Sequence, residues 1–470
     1  MATGTARPHR PLRVGNGAGF WGDNLDAPYL LARDGRLDVL TLEYLAELTM
    51  AILSHLRAKD PDAGYVTDFP DLLDRLGPIL REQDALRIVT NAGGLNPPAL
   101  AARCAGPMER AGQGGAPVAV VTGDDLLDRI PRLIGEGVDL AHMETGQPIT
   151  AVADRLVCAN AYLGAGPIAD AMAEGARVVL TGRVADASLT LGPALEHFGW
   201  ARDDWPRLAG ASVAGHIIEC GAQASGGLWH RWEQLDDPAG IGYPIAAIAA
   251  DGSCEISKPE GSGGLVSVGT VSEQLVYEID DPTCYMTPDV DVDLTTVALA
   301  KSGPDRVAVR GATGVAPGDR LKVSAVYRDG WTASGMVAVV GHNAESKARA
   351  AGQVVLERLR RAGFAPAQSL VECLGAGDVV PGVLPPFEAV REVVLRVTVR
   401  DPRREAVERF CRELAPLVTS GPPGIAGYAS GRPSPRAAFG YWPTLIPRTM
   451  VDAHVEVRAA RDWSRRETNS

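Results

Sequence analysis

The sequence predicts an α/β fold: a mostly parallel, Rossmann-like sheet domain, then a β-rich segment, then an α+β layer of split βαβ type. Three observations carry this. From Leu12 to about Trp205, short apolar runs alternate with Gly- or Asn-bearing breaks and helical patterns, as in parallel sheets. From Gly210 the texture changes to a Gly-rich helix and turn, then to β-type segments between Gly turns up to about Tyr285. Beyond residue 300, strand-helix-strand patterns recur, the signature of a split βαβ layer. The implied domains are residues 1–209, residues 210–300 completing the site, and residues 301–470.

The strands of the first part are read at Leu12–Val14, Leu37–Leu42, Leu86–Thr90, Val118–Thr122, Arg155–Ala159 and Arg177–Thr181. Their trailing loops are "GNGAGFWGDN", "EYLAE", "NAGGLNPP", "TGDD", "NAYLGAGP" and "TGRVADAS". In a parallel sheet all six emerge along one edge, where ligands bind. Asp124 reads as an N-cap before an apolar face of Leu126, Leu127, Ile130, Leu133 and Ile134. In the last third, Asp329-Gly330 between two apolar runs reads as a hairpin turn. A helix follows at about Glu345–Ala362, then "EVVLRVTVRD" and "DAHVEVR" bracket another helix. The stretch Thr419–Pro443, rich in Gly, Pro and aromatics, reads as a long loop.

Composition bounds the function. The chain has 470 residues, 46% of them hydrophobic, and a net charge of -12 without a long basic block, so a nucleic-acid partner is not expected. An anionic substrate would need a local cation or a helix N-terminus. No apolar run reaches membrane-spanning length, and Met1–Pro11 lacks the apolar core of a secretory signal. Seven scattered cysteines without a C-x-x-C pair suit a reducing, cytoplasmic setting.

Candidate site residues come from the loops. Asn91 and Asn96 in "NAGGLNPP", with Asn160, are expected to bind substrate; the alternative for the first two is a tight turn whose asparagines satisfy their own backbone. In "TGRVADASL", Arg183 is the expected anion clamp, Asp186 an acid-base or orienting group and Ser188 a substrate contact. An internal Arg183–Asp186 ion pair is the competing reading. In "GHIIECG", His216 and Cys220 share a helical face beside Glu219, which makes Glu219 and Cys220 further catalytic candidates. Too few partners accompany them for a metal, so no metal is expected. "GNGAGFWGDN" departs from the dinucleotide fingerprint at Phe20-Trp21. No cofactor is expected beyond a coenzyme A thioester as substrate.

The same loops carry a family resemblance. "GAGFWGDN", "VTNAGGLNP", "ANAYLGAGPI", "TGRVADASL", "DDWPRLAGASVAGHIIECGAQASGG", "KPEGSGGLVSVGTVSEQLVYEIDDP" and "YMTPDVDVD" resemble, in order, the acyclic terpene utilisation family, AtuA, over about Leu12–Glu357. The resemblance implies a role in the breakdown of acyclic terpenoid and branched acids, beside acyl-CoA enzymes. Taken with the site inventory, it suggests a lyase- or hydratase-type enzyme doing acid-base chemistry on a small acid or acyl-CoA: hydration, dehydration, isomerisation or C–C cleavage. The competing class is a non-catalytic acyl-CoA-binding or scaffold subunit. Some longer family members carry an extra small C-terminal module, which implies a small partner subunit here; a homo-oligomer is also expected.

Overall fold

The computed structural model describes residues 10–383 and 390–464. The chain forms two compact units, one running to Val326 and resuming at Tyr441, the other Tyr327–Gly440. In chain order the first unit holds β1 (Leu12–Asn16), α1 (Ala27–Asp34), β2 (Val39–Leu42), α2 (Glu47–Lys59), α3 (Phe69–Glu82), β3 (Arg87–Thr90), α4 (Pro97–Arg110) and β4 (Pro117–Thr122). There follow α5 (Ile130–Gly135), β5 (Leu156–Ala161), α6 (Gly166–Ala173), β6 (Val178–Thr181), α7 (Ser188–Phe198), α8 (Trp205–Glu219), β7 (Ile245–Ile248), β8 (Cys254–Ser257) and α9 (Val268–Leu275).

The α/β class and the large sheet predicted by the sequence are present. Its centre is parallel, in the order β1-β2-β3-β6-β4, with Val14 opposite Val39 and Val89 opposite Val179. Antiparallel strands flank it: β7, β8 and the hairpin Ala298–Gly303/Arg306–Arg310 beside β1, and His454–Ala459 beside β4. Buried strand residues alternate between two cores, as a period of two requires. Val39, Val89 and Val179 pack with α6, α7 and α8, whereas Leu40, Ile88 and Val178 pack with α1, α3 and α4. With both faces covered, the central strands read as continuous apolar runs.

Several expectations change. The segment β5 does not join the parallel strands; it pairs with the long strand Arg320–Val340, where Tyr162 N–H donates to the Lys322 carbonyl at 2.9 Å. Both edges of β6 are already taken, by β3 and β4. Asp329-Gly330 is no hairpin but lies inside Arg320–Val340, because only Gly330 of the pair has positive φ, and a two-residue type I′ turn requires it at both. The stretch Thr419–Pro443 contains the strand Ile425–Tyr428 and most of Arg436–Pro447 rather than one long loop.

The second unit is the split βαβ layer. Its sheet order is Gln368–Leu374, Glu392–Asp401, Arg320–Val340, Ile425–Tyr428, antiparallel throughout. The helix Ala344–Arg361 packs Ala348, Ala351, Val355 and Leu359 against it. Its closing strand is Ile425–Tyr428 and not "DAHVEVR", which extends the large sheet instead. No described helix is long and apolar enough to cross a membrane.

Candidate functional site: an acidic cleft at the carboxyl edge

Four chain segments leaving β2, β3, β5 and β6 meet at the carboxyl edge of the parallel strands. Gly182, just after β6, is required there: a Cβ would lie 2.5 Å from both oxygens of Asp124. The Asp124 carboxylate therefore docks on the loop, accepting from Arg183 N–H and from Asn160 Nδ2, each at 2.8 Å. Burial pushes the Asp124 carboxyl up to about 6 despite those donors.

Arg183 is 5% exposed at its side chain and held from several sides. Its Nη1 donates to the Leu45 carbonyl at 2.6 Å and lies 3.5 Å from Glu43; its Nη2 donates to Asp186 at 2.7 Å. The guanidinium carbon sits 4.2 Å from the centre of the Tyr162 ring, a cation–π contact. These bonds are the internal pairing weighed above against an anion clamp.

Glu43, on the turn after β2, is buried. One of its oxygens accepts from Leu45 N–H and Asn91 Nδ2, and the other, Oε2, has no hydrogen-bond partner. Burial, with Asp186 nearby, holds its carboxyl well above the usual range even beside Arg183. At the start of α2, Glu47 accepts from the hydroxyls of Tyr162 at 3.2 Å and Tyr441 at 3.4 Å and lies 3.6 Å from Lys322. Burial works to raise its carboxyl, but the helix N–H, Lys322 and Arg183 outweigh it and set the pKa below normal.

The opposite wall is the end of α8. That helix is buried almost all round, and Gly215 lets it lie against the loop after β6, since a Cβ would fall 2.7 Å from the Ala187 carbonyl. The approach brings Glu219 and Cys220 into the cleft that Asp186 lines. His216 is wedged between Glu219, 3.0 Å from Nδ1, and the Leu275 carbonyl, 3.2 Å from Nε2. A carbonyl only accepts, so Nε2 carries hydrogen. Nδ1 and Glu219 Oε1 then share one further proton, written either as an imidazolium with a carboxylate or as a neutral pair. Burial raises the Glu219 carboxyl to about 7 although His216 opposes it, and Glu219 Oε2 has no partner. Burial alone would lower His216, but Glu219 raises it. The Cys220 thiol is pushed up by burial and by Glu219, away from the thiolate form a nucleophile needs.

The cleft encloses about 560 Å³ and is lined by six carboxyl groups, Asp23, Glu43, Glu47, Asp186, Glu219 and Glu278, against Arg183 and Lys322. Four of the residues singled out in the sequence, Arg183, Asp186, Glu219 and Cys220, line it. Asn91 and Asn160 stand one layer behind, holding Glu43 and Asp124. Asn96 instead caps α4, accepting from Ala99 N–H at 3.3 Å and donating to the carbonyls of Pro61 and Ala63. Ser188 donates to Asp289 at 2.8 Å, outside the cleft lining. Sequence reasoning passed over Glu43 and Glu47, whose signal was two carboxyls straight after a buried strand. It also missed Tyr162 and Lys322, which β5 and its partner strand bring in. Among the described residues no group of three or more His, Cys, Asp or Glu is arranged to hold a metal ion.

No curated protein and no solved structure matches the chain. A family model described as acyclic terpene utilisation family protein AtuA matches residues 12–457, further than the quoted motifs reach and across both compact units. The chain belongs to the AtuA family, which ties it to acyclic terpene utilisation.

Proposed function

We propose that this protein is an acid-base enzyme of branched, acyclic terpenoid breakdown, acting in the cytoplasm on a small acid or acyl-CoA, with His216–Glu219 as its proton-handling pair. The observation that carries this reading is Glu219: a buried carboxyl with a pKa of about 7, one oxygen on a locked imidazole and the other without a partner. Such a group exchanges protons with substrate at neutral pH. When Glu219 Oε2 takes a proton, the pair goes from net neutral to net positive, with the shared proton on Nδ1 and the charge carried by the His216 imidazolium beside a neutral carboxyl.

A second contrast in the cleft supports the reading. Burial pushes Glu43 toward its protonated form while its helix N–H and nearby cations push Glu47 toward its ionised form, and carboxyls whose surroundings push them apart are suited to acid and base roles. In its protonated form Glu43, which lines the cleft with Oε2 unpartnered, would be suited to donate to a developing carbonyl or hydroxyl oxygen. The rim is apolar, with Phe20 54% and Leu228 82% exposed and Tyr277 beside them, which suits a branched hydrocarbon chain. The cleft volume is in the usual range for a small ligand. Hydration, dehydration or isomerisation adjacent to a carbonyl needs these parts.

The experiment is hydrogen exchange at the carbon next to the carbonyl, followed by mass spectrometry in heavy water over a panel of branched acids and their thioesters. The expected result is exchange or turnover of at least one of them, falling by about 10²- to 10⁴-fold in Glu219→Gln. Stoichiometric binding with neither exchange nor turnover across the panel would favour the non-catalytic binding subunit.

A further inference from the structure

A second cavity, of about 670 Å³, opens next to the acidic cleft along the same stretch of chain. Gly227 and Leu228 line the cleft, whereas Trp229, His230 and Arg231 line the second cavity. Three residues span at most about 10 Å, so the two cavities lie within the reach of one elongated molecule. The character of the two is opposite.

The second cavity presents donors. Its wall includes the start of α9, where Ser267 caps the helix by accepting from Thr270 N–H at 3.2 Å, and where Val268 and Gly269 begin the first turn. Helix starts of this kind present N–H groups to anions. Arg231 and Lys301, both exposed, add positive charge. Trp229 is 7% exposed, and its indole Nε1–H has no hydrogen-bond partner. That nitrogen faces the first turn: a Cβ built on Gly269 would come 3.5 Å from it. A buried indole N–H without an acceptor is costly, and an anion oxygen at the helix start would satisfy it. The one carboxylate in the wall, Asp305, is engaged by Val266 N–H at 2.9 Å and by Lys258 at 3.3 Å. His230 is engaged by Glu273.

From this we infer that the second cavity is a phosphate-binding site. Resting on the reading of the cleft given above, it takes the phosphorylated end of an elongated substrate whose uncharged end reacts beside Glu219. The division explains how a cleft with six carboxyl groups serves a phosphate ester: the anionic part never enters it.

The test is calorimetric titration of the full chain with inorganic pyrophosphate and with ADP. The expected result is saturable binding, weakened about tenfold or more in Arg231→Ala/Lys301→Ala, which loses at least one charge-assisted contact worth a factor of ten. Trp229→Phe, which removes only the N–H donor, is expected to weaken it about threefold to tenfold. Tighter binding of ADP than pyrophosphate supports a nucleotide-bearing carrier, and the reverse supports a simpler phosphate ester. Absence of binding to either probe, or binding unchanged in both variants, overturns the site. The substrate role has its own readout: Arg231→Ala/Lys301→Ala should raise KM for a phosphate-bearing thioester while sparing a short thioester without phosphate. Equal KM values for the phosphate-bearing thioester would overturn that role. Pyrophosphate binding without exchange on any thioester would leave the phosphate site standing and remove the acid-base reading.

Discussion

Arg183 and Asp186 are joined at 2.7 Å on the loop after β6, and the same guanidinium covers the face of Tyr162 and reaches the Leu45 carbonyl. One side chain thus pins three of the segments that form the cleft. The pair is asymmetric: Arg183 is 5% exposed and Asp186 35%.

That asymmetry predicts unequal effects. Arg183→Ala removes the buried guanidinium that pairs with Asp186, bonds the Leu45 carbonyl and covers Tyr162, and should cost about 2–5 kcal/mol, the usual range for a large buried side chain cut back to alanine. Arg183→Lys keeps the charge but not the forked geometry and should lie between this variant and the parent. Asp186→Asn, at a half-exposed position, should cost about 1 kcal/mol or less. Urea denaturation followed by circular dichroism measures all three; equal losses for Arg183→Ala and Asp186→Asn would contradict the arrangement.

The buried carboxyls set a pH dependence. Asp124 and Glu219 are raised to about 6 and about 7 in the folded chain, above the unfolded values of roughly 4. Between those values the folded state holds more protons than the unfolded one, so stability falls as pH rises from about 4 to about 7. The raised His216 acts in the same direction, its contribution present at low pH and lost as pH rises through its folded value. Replacing Glu219 by Gln should flatten the upper part of that slope, and Asp124→Asn the lower part. Denaturant midpoints measured at half-unit pH steps check this.

Gly182 carries a steric prediction. In Gly182→Ala the new methyl would sit 2.5 Å from the Asp124 oxygens, so either Asp124 or the Arg183 backbone must shift. A destabilisation of about 1–3 kcal/mol is expected, with loss of exchange activity even where the fold survives. Thermal denaturation and the exchange assay, read together, separate the two effects.

Thiol labelling tests the burial pattern. All seven cysteines are free; Cys284 is exposed, while Cys104, Cys158, Cys254 and Cys373 are buried. An alkylating reagent should reach Cys284 first, label Cys220 slowly because its thiol is held protonated, and label all seven only after unfolding without reductant. Mass mapping of the labelled peptides gives the order.

Much of the framework was legible in the sequence because it rests on local rules. The runs around Val14, Val39, Val89, Val120 and Val179 alternate their side chains every second residue, and the Gly- and Asn-bearing breaks after them are short-range signals. The loops after β2, β3 and β6 therefore pointed to one sheet edge, where Arg183 and Asp186 do line a cleft, while Asn91, Asn96 and Asn160, expected in the same crevice, do not line it. Pairing partners are a long-range matter. Nothing in β5 itself says that both edges of β6 are filled, or that Lys322, far along the chain, will bring a charge to Tyr162. The roles of individual polar groups were decided the same way. Asn96 is a helix cap and Asn91 a holder of Glu43 because of what stands within hydrogen-bond reach. The Glu219 carboxyl is pushed up to about 7 by its burial at the end of α8 against His216, which only the packed fold creates. Sequence specifies which residues can bond and where the chain can turn; desolvation and distance, which set their charge and chemistry, exist only after the elements have packed.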